Sequence, residues 1–150
     1  MATKIAKVYV GVRLPPMDTT GEAVVLVVDP ERKTAHYLPH LCEQHTPRAK
    51  ALLRKYGCHS PTGFNWGYGG SGPNELGFML LLDLGLSDER AWKAHNAFTA
   101  QILAGLDQDK PWTFSDRRLR SWLLRYEGGI TSTKATPEEV AAQVREAEAE

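Results

Sequence analysis

Cysteine is scarce in this chain: Cys42 and Cys58 are the only two in 150 residues. Two cannot build the multi-bridge framework that holds small secreted scaffolds together. Both are expected to be free thiols, as in a reducing cytoplasm. Net charge is missing as well, since 18 basic residues balance 18 acidic ones. Without a basic excess there is no general attraction to phosphate backbones, so nucleic acid is the least favoured partner. Long hydrophobic runs are absent. The most apolar stretches, residues 24–28 and 78–82, fall far short of the about 20 residues that a membrane-spanning helix needs. Residues 1–7 hold no apolar run of signal-peptide length. A cytoplasmic protein with no membrane partner is therefore expected.

What is present is a globular composition, 42% hydrophobic and 24% charged. A chain of this size buries roughly 68–70% of the surface its unfolded form exposes, enough for a core of its own. Residues 7–14 alternate Val8, Val10, Val12 and Leu14 with Tyr9, Gly11 and Arg13, the period of a half-buried strand. Residues 22–29 form a continuous β-branched run, a central strand, and after the turn at Asp29-Pro30 a shorter strand covers residues 33–38. Helices follow. Residues 47–56 are amphipathic and stop at Gly57; residues 73–84 are apolar nearly all round, the pattern of a helix in mid-core. Ser87 caps a third helix, and Leu119, Trp122, Leu123 and Tyr126 mark a fourth, with residues 107–114 read as a loop. Thr136-Pro137-Glu138-Glu139 is a capping box that opens an acidic last helix. The expected fold is α+β: a small three-stranded antiparallel sheet against a helical half, one domain over residues 1–130, then a linker and acidic helix over 131–150.

The most informative segment is a glycine loop. Five glycines fall between Gly63 and Gly72, and Pro73 follows at what reads as the first turn of the apolar helix. Such a loop brings backbone N–H groups to the positive end of a helix dipole, which suits a phosphate or carboxylate. Trp66 and Tyr68 can offer flat faces to a base or sugar, Asn65 and Ser71 can add hydrogen bonds, and Gly69, Gly70 and Gly72 allow close approach. His59, just before the loop, is a phosphate contact or a general base. Three better-known patterns fail here. Gly67, Gly69 and Gly72 match the dinucleotide fingerprint, but no strand follows the helix to complete a βαβ unit. Gly67 and Gly72 have P-loop spacing, but Pro73-Asn74 replaces the lysine and hydroxyl. Ser71 sits one glycine short of a nucleophile elbow and reads as a helix cap, with Glu75 as a second cap. Against all ligand readings stands a purely architectural one, in which glycines and aromatics make a tight turn packed on the core.

From His59 to Leu76 the sequence reads HSPTGFNWGYGGSGPNEL. It resembles the signature HSPTGFxWGYGGSGPxxL of an uncharacterised bacterial, plasmid and phage family, a domain of unknown function. The likeness extends from the strand around Val8, through Leu38-Pro39, to the stretch between Trp112 and Trp122. The resemblance implies no activity and no cofactor. An occurrence on phages and plasmids implies an accessory role in host–virus conflict, and with it a host protein as partner. The acidic helix after Thr136 departs from the shared pattern.

Other clusters carry less. His36, His40, Cys42, His45, Cys58 and His59 are metal-ligand types, but their spacing matches no standard zinc site, so no metal is expected. Arg117, Arg118, Arg120 and Arg125 read as the solvated side of an amphipathic helix. The function expected is a non-catalytic binding module that holds an anionic, phosphate-bearing ligand, such as a nucleotide, at His59, Asn65, Trp66, Tyr68, Gly69, Gly70, Ser71 and Gly72. The alternatives are a protein-interaction inhibitor whose loop is only architecture, and a small hydrolase or transferase using His59.

Overall fold

A computed structural model describes residues 7–15, 21–41, 46–58, 60 and 63–129. The expected linker and acidic helix over 131–150 lie outside these residues, as do His59, Cys42 and His45. Strands β1 (Val8–Arg13), β2 (Ala23–Asp29) and β3 (Thr34–Tyr37) pair antiparallel, close to where the sequence places them. The sheet has four strands rather than the expected three. A late strand, β4 (Trp112–Ser115), lies against the free side of β1 and gives the order β3-β2-β1-β4. It falls in the stretch read as a loop. Trp112-Thr113-Phe114-Ser115 does alternate apolar with polar residues, buried with less buried, but only over the shortest length at which that period marks a strand, and it is pairing with β1 that completes it.

Four helices complete the described fold: α1 (Pro47–Tyr56), α2 (Ser71–Asp83), α3 (Asp88–Gln101) and α4 (Asp116–Glu127). Three have a side-chain cap. Thr46 Oγ1 accepts from Ala49 N–H at 3.1 Å, Ser87 Oγ from Arg90 N–H at 3.3 Å, and Ser115 Oγ from Arg118 N–H at 3.1 Å. Helix α2 has none. It starts at Ser71, two residues earlier than expected, so Ser71 lies inside the first turn and Gly70 takes the cap position. The expected second cap is also corrected. The carboxylate of Glu75 is fully buried and accepts the N–H of Leu41, which belongs to a distant segment, at 3.1 Å.

Antiparallel register puts directly opposed residues on one face. Tyr9 therefore shares a face with Val27 and Phe114, and Gly11 with Val25 and Trp112. Tyr9, Val25, Val27, Trp112 and Phe114 are buried, so this is the face that meets the helices. Hydropathy alone would turn Val8, Val10 and Val12 inward. The structure leaves them half-buried on the opposite face, because the inward positions of β1 carry a tyrosine anchored to α2, a glycine overlaid by an indole, and Arg13. Behind the sheet, α2 is buried nearly all round, from Gly72 to Leu82, and packs beside α3. Each large apolar side chain removed from water in this layer contributes about 1.5–3 kcal/mol.

Candidate functional site

The glycine loop is anchored from below. Trp66 is fully buried, meets the ring of Trp112 edge-on at 5.5 Å, and carries the guanidinium of Arg13 over its face at 4.8 Å. A ring so enclosed presents no stacking face to solvent. Asn65 Oδ1 accepts from Trp66 N–H at 2.9 Å and from Arg13 Nη2 at 2.6 Å, and Gly67 N–H donates to Leu103 O at 2.9 Å. Packing accounts for three of the glycines. A Cβ at Gly67 would stand 2.8 Å from Gln108 Cβ, one at Gly70 2.8 Å from the Tyr68 ring, and one at Gly72 2.8 Å from Asn65 Cβ. Gly69 is different. It is exposed, has no positive φ, and has nothing within 4 Å of its Cβ position. Beside it Tyr68 is 40% exposed.

The loop opens onto the uncapped end of α2. Asn74 is the first residue whose N–H bonds back, to Gly70 O at 3.0 Å, and Pro73 has no N–H to offer. Ser71 and Gly72 thus bring orphan donors to the dipole's positive end, and no acidic residue stands in the first turn. A second positive element lies just behind. Arg13 is only 6% exposed and donates to Gln108 O (2.8 Å), Gly21 O (3.4 Å) and Asn65 Oδ1, with no carboxylate partner among the described residues. A guanidinium has five N–H donors, so these contacts leave some unused. The indole N–H groups of Trp66 and Trp112 are buried nearby without an acceptor among the described residues. Asn65 joins the two elements, touching Arg13 on one side and Gly72 on the other. The region is rich in donors and positive charge and poor in acceptors. Arg13 and this donor surplus were not singled out from the sequence. The signal lay in an arginine at a core-facing position of a strand, legible only once the inward face was known.

Other polar groups form separate sites. At the far end of α2 the Tyr9 hydroxyl donates to Asp83 Oδ2 at 2.7 Å, and Lys7 Nζ lies 3.2 Å from the same oxygen. Burial pushes the Tyr9 phenol far up, and the hydrogen bond to Asp83 pushes it further, so it stays a donor. A cavity of about 300 Å³ opens beside Asp83, with Leu38, Leu41, Leu52 and Met79 in its wall, and no residue of the glycine loop lines it. His40 is buried, with its Nε2 4.0 Å from Glu75 Oε1. Among the described residues no group of three or more metal-ligating side chains assembles. On α4, Arg120 Nη2 donates to Leu84 O at 2.7 Å and Arg118 lies over the Phe114 ring at 4.7 Å, so part of the expected solvated basic face is tied to the fold.

The expectation of two free thiols is overturned at Cys58, which is disulfide-bonded. A cysteine count cannot rule out a pairing that the fold brings within bonding distance, and the thiol argument for a cytoplasmic home falls with it. No helix among the described residues is long and apolar enough to cross a membrane.

No curated protein and no solved structure matches the chain. A family model does, over most of its length: the match runs from residue 9 to residue 125, from the first inward residue of β1 into the last turns of α4, and includes the glycine loop and Arg13. The chain belongs to this family of unknown function, DUF6166.

Proposed function

We propose that the protein is a non-catalytic binding module that takes an anionic group, of the phosphate class, at the open N-terminus of α2. The observation that carries this reading is the coincidence of an uncapped helix end with the buried guanidinium of Arg13, which has no carboxylate partner among the described residues. Two like-signed elements so close together raise the local potential, and a bound anion lowers it. Gly69, a glycine that packing does not require, leaves the approach clear. Tyr68 replaces Trp66 as the available face, so a nucleotide would set its base on Tyr68 and its phosphate on the N–H groups of Ser71 and Gly72.

The test is isothermal titration with inorganic phosphate and with a nucleoside diphosphate at constant ionic strength, on the unmodified protein and on Ser71→Asp. An aspartate in the first helical turn suits the dipole and leaves the fold intact. It also puts a carboxylate where the ligand anion would sit. Binding that is measurable in the unmodified protein and lost in Ser71→Asp supports the reading. No heat with either probe sinks it.

A second reading, a protein-interaction module whose loop is architecture, is favoured by the packing needs of Gly67, Gly70 and Gly72 and by the outer face of the sheet.

A further inference from the structure

Three segments meet around the cavity at the far end of α2: the stretch after β3, the N-terminal half of α1 and the last turns of α2. Leu38, Leu41, Leu52, Met79 and Leu82 give it apolar walls. Its volume of about 300 Å³ is at the lower end of small-molecule sites. At about 30 Å³ per water, such a space takes a guest of about ten non-hydrogen atoms. Thr46 and Arg48 at its edge are exposed, so the space is open to solvent on that side. Two opposite charges line it, Arg48 from the first turn of α1 and Asp83 from the end of α2. They do not pair with each other, and Arg48 has no carboxylate partner among the described residues. Both contacts of Asp83, from Tyr9 and from Lys7, fall on Oδ2, so Oδ1 receives no hydrogen bond among the described residues. The backbone adds to the positive side. Arg48 is at the second helical position, where N–H groups have no acceptor inside the helix, and no acidic residue stands in that turn.

We infer that this cavity is a binding site for a small apolar zwitterion of the α-amino acid class, such as leucine. The side group fills the space between Leu41, Leu52 and Met79. The carboxylate meets Arg48 and the start of α1, and the ammonium donates to Asp83 Oδ1. Each part of the ligand answers a separate feature of the cavity. An uncharged apolar guest would strip water from Arg48 and Asp83 and give nothing in return. A carboxylate without the amine leaves Oδ1 without a donor. An amine without the carboxylate gains little, because Lys7 already balances Asp83 and the charge left over is that of Arg48. The carboxylate is therefore the group that contributes most, and the ammonium adds a hydrogen bond. A nucleotide is too large for the volume. No residue of the glycine loop lines this cavity, so the inference stands or falls apart from the anion reading at the other end of α2.

The test is a titration of the full chain, followed by methyl NMR, with three probes. They are leucine, isocaproate (leucine without the amine) and isoamylamine (leucine without the carboxylate). A guest this small reaches a dissociation constant on the order of 100 μM. Each probe is therefore taken to about 5 mM, roughly fifty times that value. The expected result with leucine is a saturable shift of the Leu52 and Met79 methyls, while those of Leu80, which does not line the cavity, stay fixed. Isocaproate should bind about threefold to tenfold more weakly, the loss of one hydrogen bond. Isoamylamine should bind more weakly still. Arg48→Gln, at an exposed position, should weaken leucine binding at least about tenfold with an unchanged melting temperature. Asp83→Asn should bring leucine down to the level of isocaproate. If that variant fails to fold, the comparison of the two probes on the unmodified protein carries the same reading. No saturable shift with leucine overturns the inference. Equal affinity for leucine and isocaproate, or leucine binding unchanged in Arg48→Gln, overturns it as well, because the two charges then play no part in recognition.

Discussion

Tyr9 and Asp83 are held together by one hydrogen bond, 2.7 Å from phenol to carboxylate, that ties the central strand to the last residue of the central helix. The acceptor is charged and about a fifth exposed, 22%. Its loss in Tyr9→Phe should lower unfolding free energy by about 1–2 kcal/mol, with Lys7 still able to serve the carboxylate. Urea denaturation followed by far-UV circular dichroism measures the change. A shift near zero would mean that water already shares the bond.

Gly11 and Trp112 face each other across the β1–β4 pair, and the indole occupies the space a Cβ on Gly11 would need. Gly11→Ala should cost about 1–3 kcal/mol by overpacking. In a Trp112→Leu background the same change should cost much less. A double-mutant cycle by chemical denaturation reads the coupling, and additive costs would contradict the overlap.

The loop glycines should separate by role. Gly67→Ala meets both a positive φ of 88° and the Gln108 backbone, so it should lower stability by more than about 1 kcal/mol. Gly69→Ala should leave stability within about 0.5 kcal/mol, as at an unencumbered surface position, and yet weaken phosphate binding by narrowing the approach. Thermal melts and titrations on the same two variants test both halves.

Asp88 accepts from the Tyr56 hydroxyl at 2.8 Å and lies 3.2 Å from Lys55 Nζ. The Tyr56 hydrogen bond first, and the Lys55 hydrogen bond second, hold its carboxyl down at about 2. A depressed carboxylate favours the folded state above its unfolded value, near 3.8, and that contribution is lost as pH falls toward about 2. Carbon-detected NMR titration should find the low midpoint. Tyr56→Phe should raise it, and Lys55→Met should raise it less.

Much of this fold is legible in the sequence because its signals are local. The β-branched run of β2, the Ser87 cap and the all-apolar α2 each declare themselves within a dozen residues. What escapes is decided across the chain. Strand β4 is fixed by pairing with β1. Glu75 looks like a cap by position and is claimed instead by the N–H of Leu41. Trp66 and Tyr68 stand two residues apart in one loop and look equivalent, but one is sealed under Arg13 and the other is 40% exposed. The glycine-rich run and its helix were readable as a landmark. Which glycine is spare, and that an arginine 52 positions earlier lies beneath it, were not.

The strand order β3-β2-β1-β4 has a consequence in time as well as in space. During synthesis β1 and β2 emerge early, and whenever they pair, the other edge of β1 has no partner until Trp112–Ser115 leaves the ribosome. Through that interval the nascent chain carries an open strand edge, the feature by which unfinished proteins stick to one another. Closing it demands a contact between the two ends of the matched region, the kind of long-range step that slows folding.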